Sequence, residues 1–317
     1  MTPLAQSEFS PWPNRMAWLL VAATFVLMCV GALVTTLKAG LAVPDWPTTF
    51  GFGMFSYPLS TWWNGSLKVF VEHGHRLMGS LVGMITIALV VVVWRCDSRN
   101  WVRATSVLAL FAVIVQGILG GMRVTQRSDV LAMIHGCSAQ AFFGLCVALA
   151  VFTSSLWRTR EPQSHPGAGK LRRLAALTAA LTYLQIVLGA QLRHFPSIEA
   201  VYFHLGTAAA VAAHVLALAW RVWRNHGQEP ALARPALLLA LLLISQAVLG
   251  VSAWISKYGG LETYRVTAYG PHQVLSTTGH AVVGGLVLGT VLALALRSFR
   301  LLDSQLDSPD STALETA

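Results

Sequence analysis

The fold is decided by stretches such as residues 72–94, EHGHRLMGSLVGMITIALVVVVW, where a short polar cluster leads into an apolar run. The 18 residues after Arg76 carry no charge, and about 20 apolar residues are enough for a helix to cross a membrane. The whole chain is similar, because only 11% of its 317 residues are charged, against about 25% in soluble proteins. The sequence therefore predicts an all-α integral membrane protein.

Eight apolar stretches are long enough to span the membrane. They run over about Met16 to Leu37, Lys68 to Trp94, Val102 to Met122, Val130 to Trp157, Leu174 to Leu192, Ala200 to Trp220, Ala236 to Ser256 and Pro271 to Leu296. The first is longer than the roughly 7–15 apolar residues of a secretory signal, so we expect it to be a retained helix. An even number of spans puts both termini on one side.

Positive charge indicates which side that is. Fourteen Lys and Arg residues lie at the connections on the side of the termini, against seven on the other side. Short cytoplasmic loops accumulate positive charge, so both termini should be cytoplasmic. The net charge of +9 then reflects topology and anionic lipid. No basic soluble domain supports a nucleic-acid partner.

A repeated element, QxxLG, indicates two halves. It occurs at Gln116 to Gly120, Gln185 to Gly189 and Gln246 to Gly250, where small residues permit close approach of helices. Gln116 and Gln246 are 130 positions apart, and His75 and His204 are 129 apart. We predict two pseudo-symmetric four-helix bundles.

The predicted domain organisation follows from this repeat and from composition. The first half covers residues 1–158, a polar cytoplasmic linker residues 159–170, and the second half residues 171–300. Residues 301–317, rich in Ser, Asp and Thr, are expected to be a disordered tail.

Four histidines stand near the starts of the even-numbered spans, all at the outer side of the membrane. A histidine within a membrane is costly unless it finds a partner. Two imidazoles on facing helices of a bundle can hold a haem iron. We expect His75 and His135 to form one such site and His204 and His280 another, although a single histidine near a span end is more often a packing residue.

Other residues are weaker candidates for metal ligands. His272 competes with His280, which is deeper and is followed by small residues, and His214 lies about 15 Å along the helix from His204. The remaining histidines fall in or beside loops: His73, His165, His194 and His226. None of the four cysteines forms a CxxC pair, so neither a disulfide framework nor a zinc site is indicated.

One of the two sites carries an additional carboxylate. Glu72 lies three residues before His75 and shares its helix face, so that site is capable of acid/base chemistry. The alternative is that Glu72 caps its helix. Arg76 is a partner for a haem propionate or for Glu72, or else extends to the headgroups. Val201 and Leu205 take the two positions in the second half, which suits electron transfer.

At these residues the chain resembles the haem A synthases, a family of cytochrome oxidase assembly proteins. The resemblance rests on Gly40-Leu-Ala-Val-Pro-Asp-Trp-Pro, on Glu72-x-x-His75-Arg76, on the QxxLG helices, and on His135, His204 and His280. It implies that a ring methyl of haem O is oxidised to a formyl by successive hydroxylations and loss of water.

The resemblance also implies residue roles. His75, His135 and Arg76 would bind the substrate haem O, with Glu72 as the catalytic carboxylate. A haem b held by His204 and His280 would transfer electrons.

Further expectations concern surroundings and partners. The resemblance implies a bacterial cell membrane, with the haem O synthase (protohaem farnesyltransferase) as a plausible neighbour and an electron acceptor that the sequence does not identify. A homo-oligomer is compatible with the sequence. Some family members carry a cysteine pair in the first outer loop, but Lys38 to Leu67 has none, so no thiol step is carried over, and Asp45 receives no chemical step.

Two other classes of function remain open. One is a dihaem membrane cytochrome that exchanges electrons with quinol and makes no new molecule. The other is a transporter whose histidines relay protons.

Overall fold

Eight helices long and apolar enough to cross a membrane dominate the computed structural model, which describes residues 9–258 and 270–303. They are α1 (Trp12–Thr36), α3 (Leu67–Cys96), α4 (Asn100–Thr125), α5 (Asp129–Phe152), α7 (Ala168–His194), α8 (Ile198–His226), α9 (Pro230–Tyr258) and α10 (Pro271–Leu301). The predicted fold class and number of spans are confirmed.

Shorter elements lie in the connections. The loop between α1 and α3, residues 37–66, is called the first loop below. It contains an antiparallel pair, β1 (Thr48–Thr49) and β2 (Phe52–Gly53), followed by α2 (Leu59–Trp63). After α5 come α6 (Ser155–Thr159) and β3 (Gln163–Ser164), and β4 (Leu302–Asp303) follows α10.

Serine caps fix where three histidine-bearing helices begin. The hydroxyl oxygens of Ser66, Ser128 and Ser197 accept hydrogen bonds from backbone N–H groups in the first turns of α3, α5 and α8. Such a cap satisfies a donor that the helix itself leaves unpaired. The α10 helix begins instead with Pro271, which suits a first helical position. Each candidate histidine therefore lies roughly two to three turns inside its helix.

The helices have the same neighbours in each half. In the first half, α1 and α4 each contact both α3 and α5, and in the second half α7 and α9 each contact both α8 and α10. The halves meet where α10 contacts α1 and α5, and where α5 contacts α7. A two-fold relation between the halves stays a prediction.

Apolar side chains cover both the interior and the exterior of the spans. Leu20, Leu89 and Leu149 are buried in the first half, whereas Phe111 and Ile244 are 64% and 62% exposed. Exposed large apolar residues along a span are suited to contact with lipid tails.

Two predicted boundaries around the linker are wrong. The fourth span was expected to reach Trp157, but α5 ends at Phe152, and Trp157 lies in α6, whose cap is Ser154. The linker was expected to extend to Lys170, but α7 begins at Ala168. The reason is that Gly167 adopts a left-handed conformation, with φ of 81°, that turns the chain into the helix.

The expectation of a disordered tail is wrong for its first residues. Leu301 completes α10, and Leu302–Asp303 pair in parallel with Gln163–Ser164 of the linker. Leu301 and Leu302 are each only 4% exposed, so burial of apolar surface orders this stretch. The rest of the predicted tail, residues 304–317, lies outside the described residues.

Candidate haem sites

The four candidate histidines form two facing pairs. The ring centroids of His75 and His135 are 6.4 Å apart, and those of His204 and His280 are 6.2 Å apart. A metal–nitrogen bond of about 2 Å on each side, with an imidazole radius of about 1 Å, puts two centroids about 6 Å apart across one metal ion. Both spacings therefore fit one iron between two imidazoles.

Each of these rings rests on a glycine of the preceding span. A Cβ atom would lie 2.9 Å from Cε1 of His75 if placed at Gly31, and 3.2 Å from Cε1 of His135 if placed at Gly120. In the second half it would lie 3.0 Å from Cε1 of His204 at Gly189, and 2.9 Å from Cε1 of His280 at Gly250. A side chain at Gly31 or Gly250 would force the ring to move, and one at Gly120 or Gly189 would press tightly on it. Glycine at each position therefore lets the ring lie against the neighbouring helix.

Three of these glycines close the QxxLG elements, but Gly31 was missed by the sequence reasoning. It ends Leu27-Met-Cys-Val-Gly31 in α1, where leucine takes the place of glutamine. Relaxing the first position of the element to any large residue and the fourth to leucine or valine would have found it.

The glutamine side chains of two QxxLG elements, Gln116 and Gln185, lie along the edges of two of the rings. The Gln185 amide nitrogen is 3.0 Å from Nδ1 of His204. The Gln116 amide, in the orientation that satisfies its hydrogen bonds, donates to the His135 carbonyl oxygen and lies 3.1 Å from Nδ1. A histidine that binds a metal through Nε2 carries its hydrogen on Nδ1 and needs an acceptor there, so ligation would require each of these amides to present its oxygen instead of its nitrogen.

The other two rings, those of His280 and His75, differ in how Nδ1 is held. Nδ1 of His280 donates to the backbone carbonyl oxygen of Gln246, at 3.2 Å. Nδ1 of His75 is buried without a hydrogen-bond partner among the described residues. The Leu27 carbonyl oxygen is the polar group on that side, but it lies outside hydrogen-bond geometry. His75 is thus positioned mainly by packing, with the Leu27 carbonyl oxygen as its polar neighbour.

Glu72 is buried under the first loop. It is 2% exposed, and its Oε2 accepts a hydrogen bond from the backbone N–H of Val43 at 2.9 Å. Its Oε1 pairs with the Arg76 guanidinium at 3.2 Å. Because α3 begins at Leu67 and is capped by Ser66, Glu72 lies in the second turn. The alternative that it caps its helix is therefore wrong.

Arg76 is committed to the first loop. Besides Glu72, it donates to the carbonyl oxygens of Val43, Asp45 and Thr48 at 2.9, 2.7 and 3.0 Å. Its side chain is only 9% exposed. Of the partners considered for Arg76, the structure shows Glu72, together with three backbone carbonyls that the sequence did not indicate.

Asp45 organises the same loop. Its carboxylate accepts hydrogen bonds from the Thr48 hydroxyl and from the backbone N–H groups of Phe50 and Gly51. Partial burial acts to raise the pKa of Asp45, but the hydrogen bonds from Gly51, Thr48 and Phe50 outweigh it and lower the pKa to about 2. Asp45 is thus a structural residue of the loop.

The remaining histidines do not join either pair. Nε2 of His272 lies 3.3 Å from the Ser252 hydroxyl, and Nδ1 of His214 lies 2.9 Å from the Ala210 carbonyl oxygen of its own helix. The rings of His165 and His226 are 4.2 Å apart, next to the linker and away from both pairs.

The expectation that His73 falls in or beside a loop is wrong. His73 lies within α3, is 2% exposed, and contacts the Thr49 hydroxyl through Nδ1 at 3.1 Å. The first loop folds back over this turn of the helix, which buries a residue near the predicted span end.

The two histidine pairs are the candidate metal-binding residues of this protein. Among residues 9–258 and 270–303, no group of three or more His, Cys, Asp or Glu side chains could hold a metal ion. The four cysteines are unpaired. The fold and these side chains define a multi-pass helical membrane protein with two pairs of facing histidines.

Comparison with known proteins agrees with this class. A family model described as "Cytochrome oxidase assembly protein" matches residues 14–201, and the chain belongs to that family. A heme A synthase from Shouchella clausii is 27% identical over 188 residues, which are 57% of this chain and 59% of that protein.

Two other relatives match over more of their length. A heme A synthase from Halalkalibacterium halodurans is 26% identical over 258 residues, covering 72% of this chain and 82% of that protein. One from Maricaulis maris is 24% identical over 312 residues, covering 75% and 86%.

Proposed function

We propose that this protein is a haem A synthase, which oxidises a ring methyl of haem O to a formyl by successive hydroxylations and loss of water. The observation that supports this best is the asymmetry between the two histidine pairs. Glu72 lies one helical turn before His75, whereas Val201 takes the equivalent position before His204. Family membership and relatives named heme A synthase support the same function.

The first half would bind haem O as the substrate. His75 and His135 would hold its iron, in the space that Gly31 and Gly120 leave for their rings. The haem iron supplies the oxidising chemistry when it is bound. The protein's part is to orient the ring, to exclude bulk water and to handle protons.

Glu72 would handle those protons. A carboxylate has about four acceptor positions, and the contacts with Val43 and Arg76 occupy two of them. The ion pair with Arg76 holds the carboxylate in place. It therefore retains the capacity to accept a proton from a water molecule that attacks the ring methyl carbon as that carbon is oxidised.

The second half would hold a haem b for electron transfer. His204 and His280 have the required spacing, and Gln185 and Gln246 contact their second ring nitrogens. Val201 offers no group for acid/base chemistry. A fixed pair of ligands without a reactive side chain suits a haem that changes only its redox state.

The cellular context follows from the proposed reaction. The protein would lie in a bacterial cell membrane with both termini cytoplasmic. It would receive haem O from the haem O synthase, a farnesyltransferase, and pass electrons to a membrane acceptor, as a monomer or a homo-oligomer.

Pigment analysis of the purified protein tests this function. The protein is prepared from cells with and without a supply of haem O, and the extracted porphyrins are identified by mass. We expect haem b in both preparations and haem A only when haem O is supplied. Two bound haems with haem O returned unchanged would instead indicate a dihaem cytochrome that exchanges electrons with quinol. Absence of haem would favour a proton-relaying transporter.

A further inference from the structure

Two half-buried arginines lie beside the histidine pairs and form no ion pair with a carboxylate among residues 9–258 and 270–303. Arg123 and Arg193 follow Gly120 and Gly189, the glycines that contact His135 and His204. In the part of the chain that the structure describes, the ion pairs within 4.0 Å involve other arginines.

Arg193 lies where the two halves meet. Its Nη2 donates to the Ala32 carbonyl oxygen at 3.1 Å and to the Thr36 hydroxyl at 2.6 Å, both on α1. The same hydroxyl accepts a hydrogen bond from Thr278, two residues before His280. Arg193 is in electrostatic range of the His280 ring. Its Nε and Nη1 make no hydrogen bond to any described residue, and neither is enclosed.

Arg123 takes a similar place in the first half. Its Nη2 donates to the Gly40 carbonyl oxygen, and the guanidinium packs so closely on Gly40 that no side chain would fit there. It is in electrostatic range of both His75 and His135. Two carboxylates are also in electrostatic range of Arg123, those of Glu72 and Asp129. Glu72 already pairs with Arg76, and Asp129 makes no ion pair with Arg123 within 4.0 Å. The Nε and Nη1 groups of Arg123 have no partner among the described residues either.

A cation in this position needs an anion. Charged groups within a membrane are costly and are retained where they are paired or functional. A haem carries two propionate groups, and arginine binds carboxylates with two parallel charge-assisted hydrogen bonds. At 1.5 Å per residue, Arg123 and Arg193 lie about 4.5 and 6 Å beyond the glycines along the helix axis. This is near the level of the histidine rings and on the side of the membrane boundary.

We propose that Arg123 and Arg193 bind the propionates of the haems in the first and second halves. This rests on the proposed function, since it requires a haem in each half. This assignment takes the place of the earlier expectation that Arg76 binds a propionate. The Arg76 guanidinium already donates hydrogen bonds to three loop carbonyl oxygens and to Glu72.

Haem analogues without propionate charge provide the test. The purified haem-free protein is titrated with haem b and with its dimethyl ester, and binding is followed by the low-spin absorbance. Haem O and its dimethyl ester probe the first half. In the wild type we expect the free acid to bind at least about tenfold more tightly than the ester, since one charge-assisted hydrogen-bonded pair contributes this much.

Substitution should remove this preference. In Arg193→Gln the affinity of the second half for the free acid should approach its affinity for the ester, so that their ratio falls toward one. In Arg123→Gln the same ratio of affinities should fall toward one at the first half. Arg127→Gln is the matched control, since Arg127 is an exposed arginine in the loop after α4, and its ratios should equal those of the wild type. If a Gln variant does not fold, the Lys variant is used, which keeps the positive charge but cannot form two parallel hydrogen bonds. Its ratio of acid to ester affinity should be lower than that of the wild type.

The outcomes separate this proposal from the proposed function. A purely structural role would weaken acid and ester by the same factor, and an unchanged ratio in Arg123→Gln and Arg193→Gln would overturn the propionate assignment alone. A wild type that binds neither haem would overturn both.

Discussion

The Cε1 atom of His280 lies so close to Gly250 that a Cβ atom there would be 2.9 Å away. The distance between α9 and α10 and the position of the His280 ring therefore cannot change independently. The other three candidate histidines, His75, His135 and His204, each contact a glycine of the preceding span in the same way.

Gly250→Ala should impair the second site. The added methyl group has to displace the His280 ring or separate the two helices, and overpacking of this kind costs about 1–3 kcal/mol. We expect lower haem b content per protein and a lower Tm. Gly206→Ala is the control, because a Cβ at Gly206 meets nothing within 4 Å. Full haem content in Gly250→Ala would contradict the steric argument.

Glu72→Gln should abolish haem A formation while leaving haem binding intact. The amide oxygen can keep the hydrogen bond from Val43 or the one from Arg76 but not both, since these reach different oxygens of Glu72. The side chain keeps its size and one link to the first loop, but it cannot take up a proton. Extraction of pigments from the variant supplied with haem O measures this. Glu199→Gln, at an exposed glutamate in the first turn of α8, should behave as the wild type. Normal haem A from Glu72→Gln would remove the catalytic role.

His280→Ala should remove the low-spin absorbance of haem b, and His204→Ala should do the same. His272→Ala should leave the spectrum unchanged, because His272 contacts Ser252 and lies apart from the pair. Visible spectra of the three purified variants, normalised to protein, distinguish them. A spectrum lost in His272→Ala and kept in His280→Ala would reverse the assignment.

The first loop should open in acid. The pKa of Asp45 is about 2 in the folded protein, below its value of about 3.9 in an unfolded chain. The carboxylate therefore stabilises the loop above about pH 4, and this contribution is lost as the pH falls through about 2.

Pepsin cleavage after the loop phenylalanines, measured between about pH 4 and pH 2, should increase as the pH falls through this window. In Asp45→Asn the loop should be cut readily over the whole range, because the amide cannot supply the charged acceptor to Thr48, Phe50 and Gly51. Equal pH profiles for the two proteins would show that Asp45 does not hold the loop.

Asp97→Asn should destabilise the first half. The Asp97 carboxylate, 3% exposed, binds Arg99 and Arg158. Although burial opposes it, hydrogen bonding and charge from Arg99, together with the charge of Arg158, lower the pKa of Asp97. Removal leaves Arg158 buried without its anion, which costs about 3–5 kcal/mol.

Thermal unfolding measures the effect, and the matched control is Glu229→Gln. Glu229 pairs with a half-exposed Arg160 at 3.4 Å, and such surface pairs contribute about 0–1 kcal/mol. Equal losses of Tm in the two variants would contradict the difference in burial.

Sequence reasoning predicted what depends on local pattern. Apolar length predicted the number of spans, and the matched positions of His75, His135, His204 and His280 predicted which rings would face each other. These features depend on helical periodicity and membrane thickness, which a single sequence displays directly.

Other features depend on contacts between distant parts of the chain. The acceptors of Arg76 are backbone carbonyls some 30 residues away, and Arg193 bonds to α1 across 157 and 161 positions. No spacing rule indicates such partners. The burial of His73 and the order of Leu302 have the same origin, since the first loop and the linker fold back onto helix ends.

The missing hydrogen-bond partner of His75 bears on how long each haem stays. In the proposed reaction the first half has to release its product after every turnover, whereas the second half keeps its haem for the life of the protein. A ring that is wedged against Gly31 but has nothing fixing Nδ1 can tilt without breaking a polar contact, which lowers the barrier to exchange. We therefore expect the first half, where leucine stands in α1 in place of the glutamine of the other three helices, to exchange its haem faster than the second half.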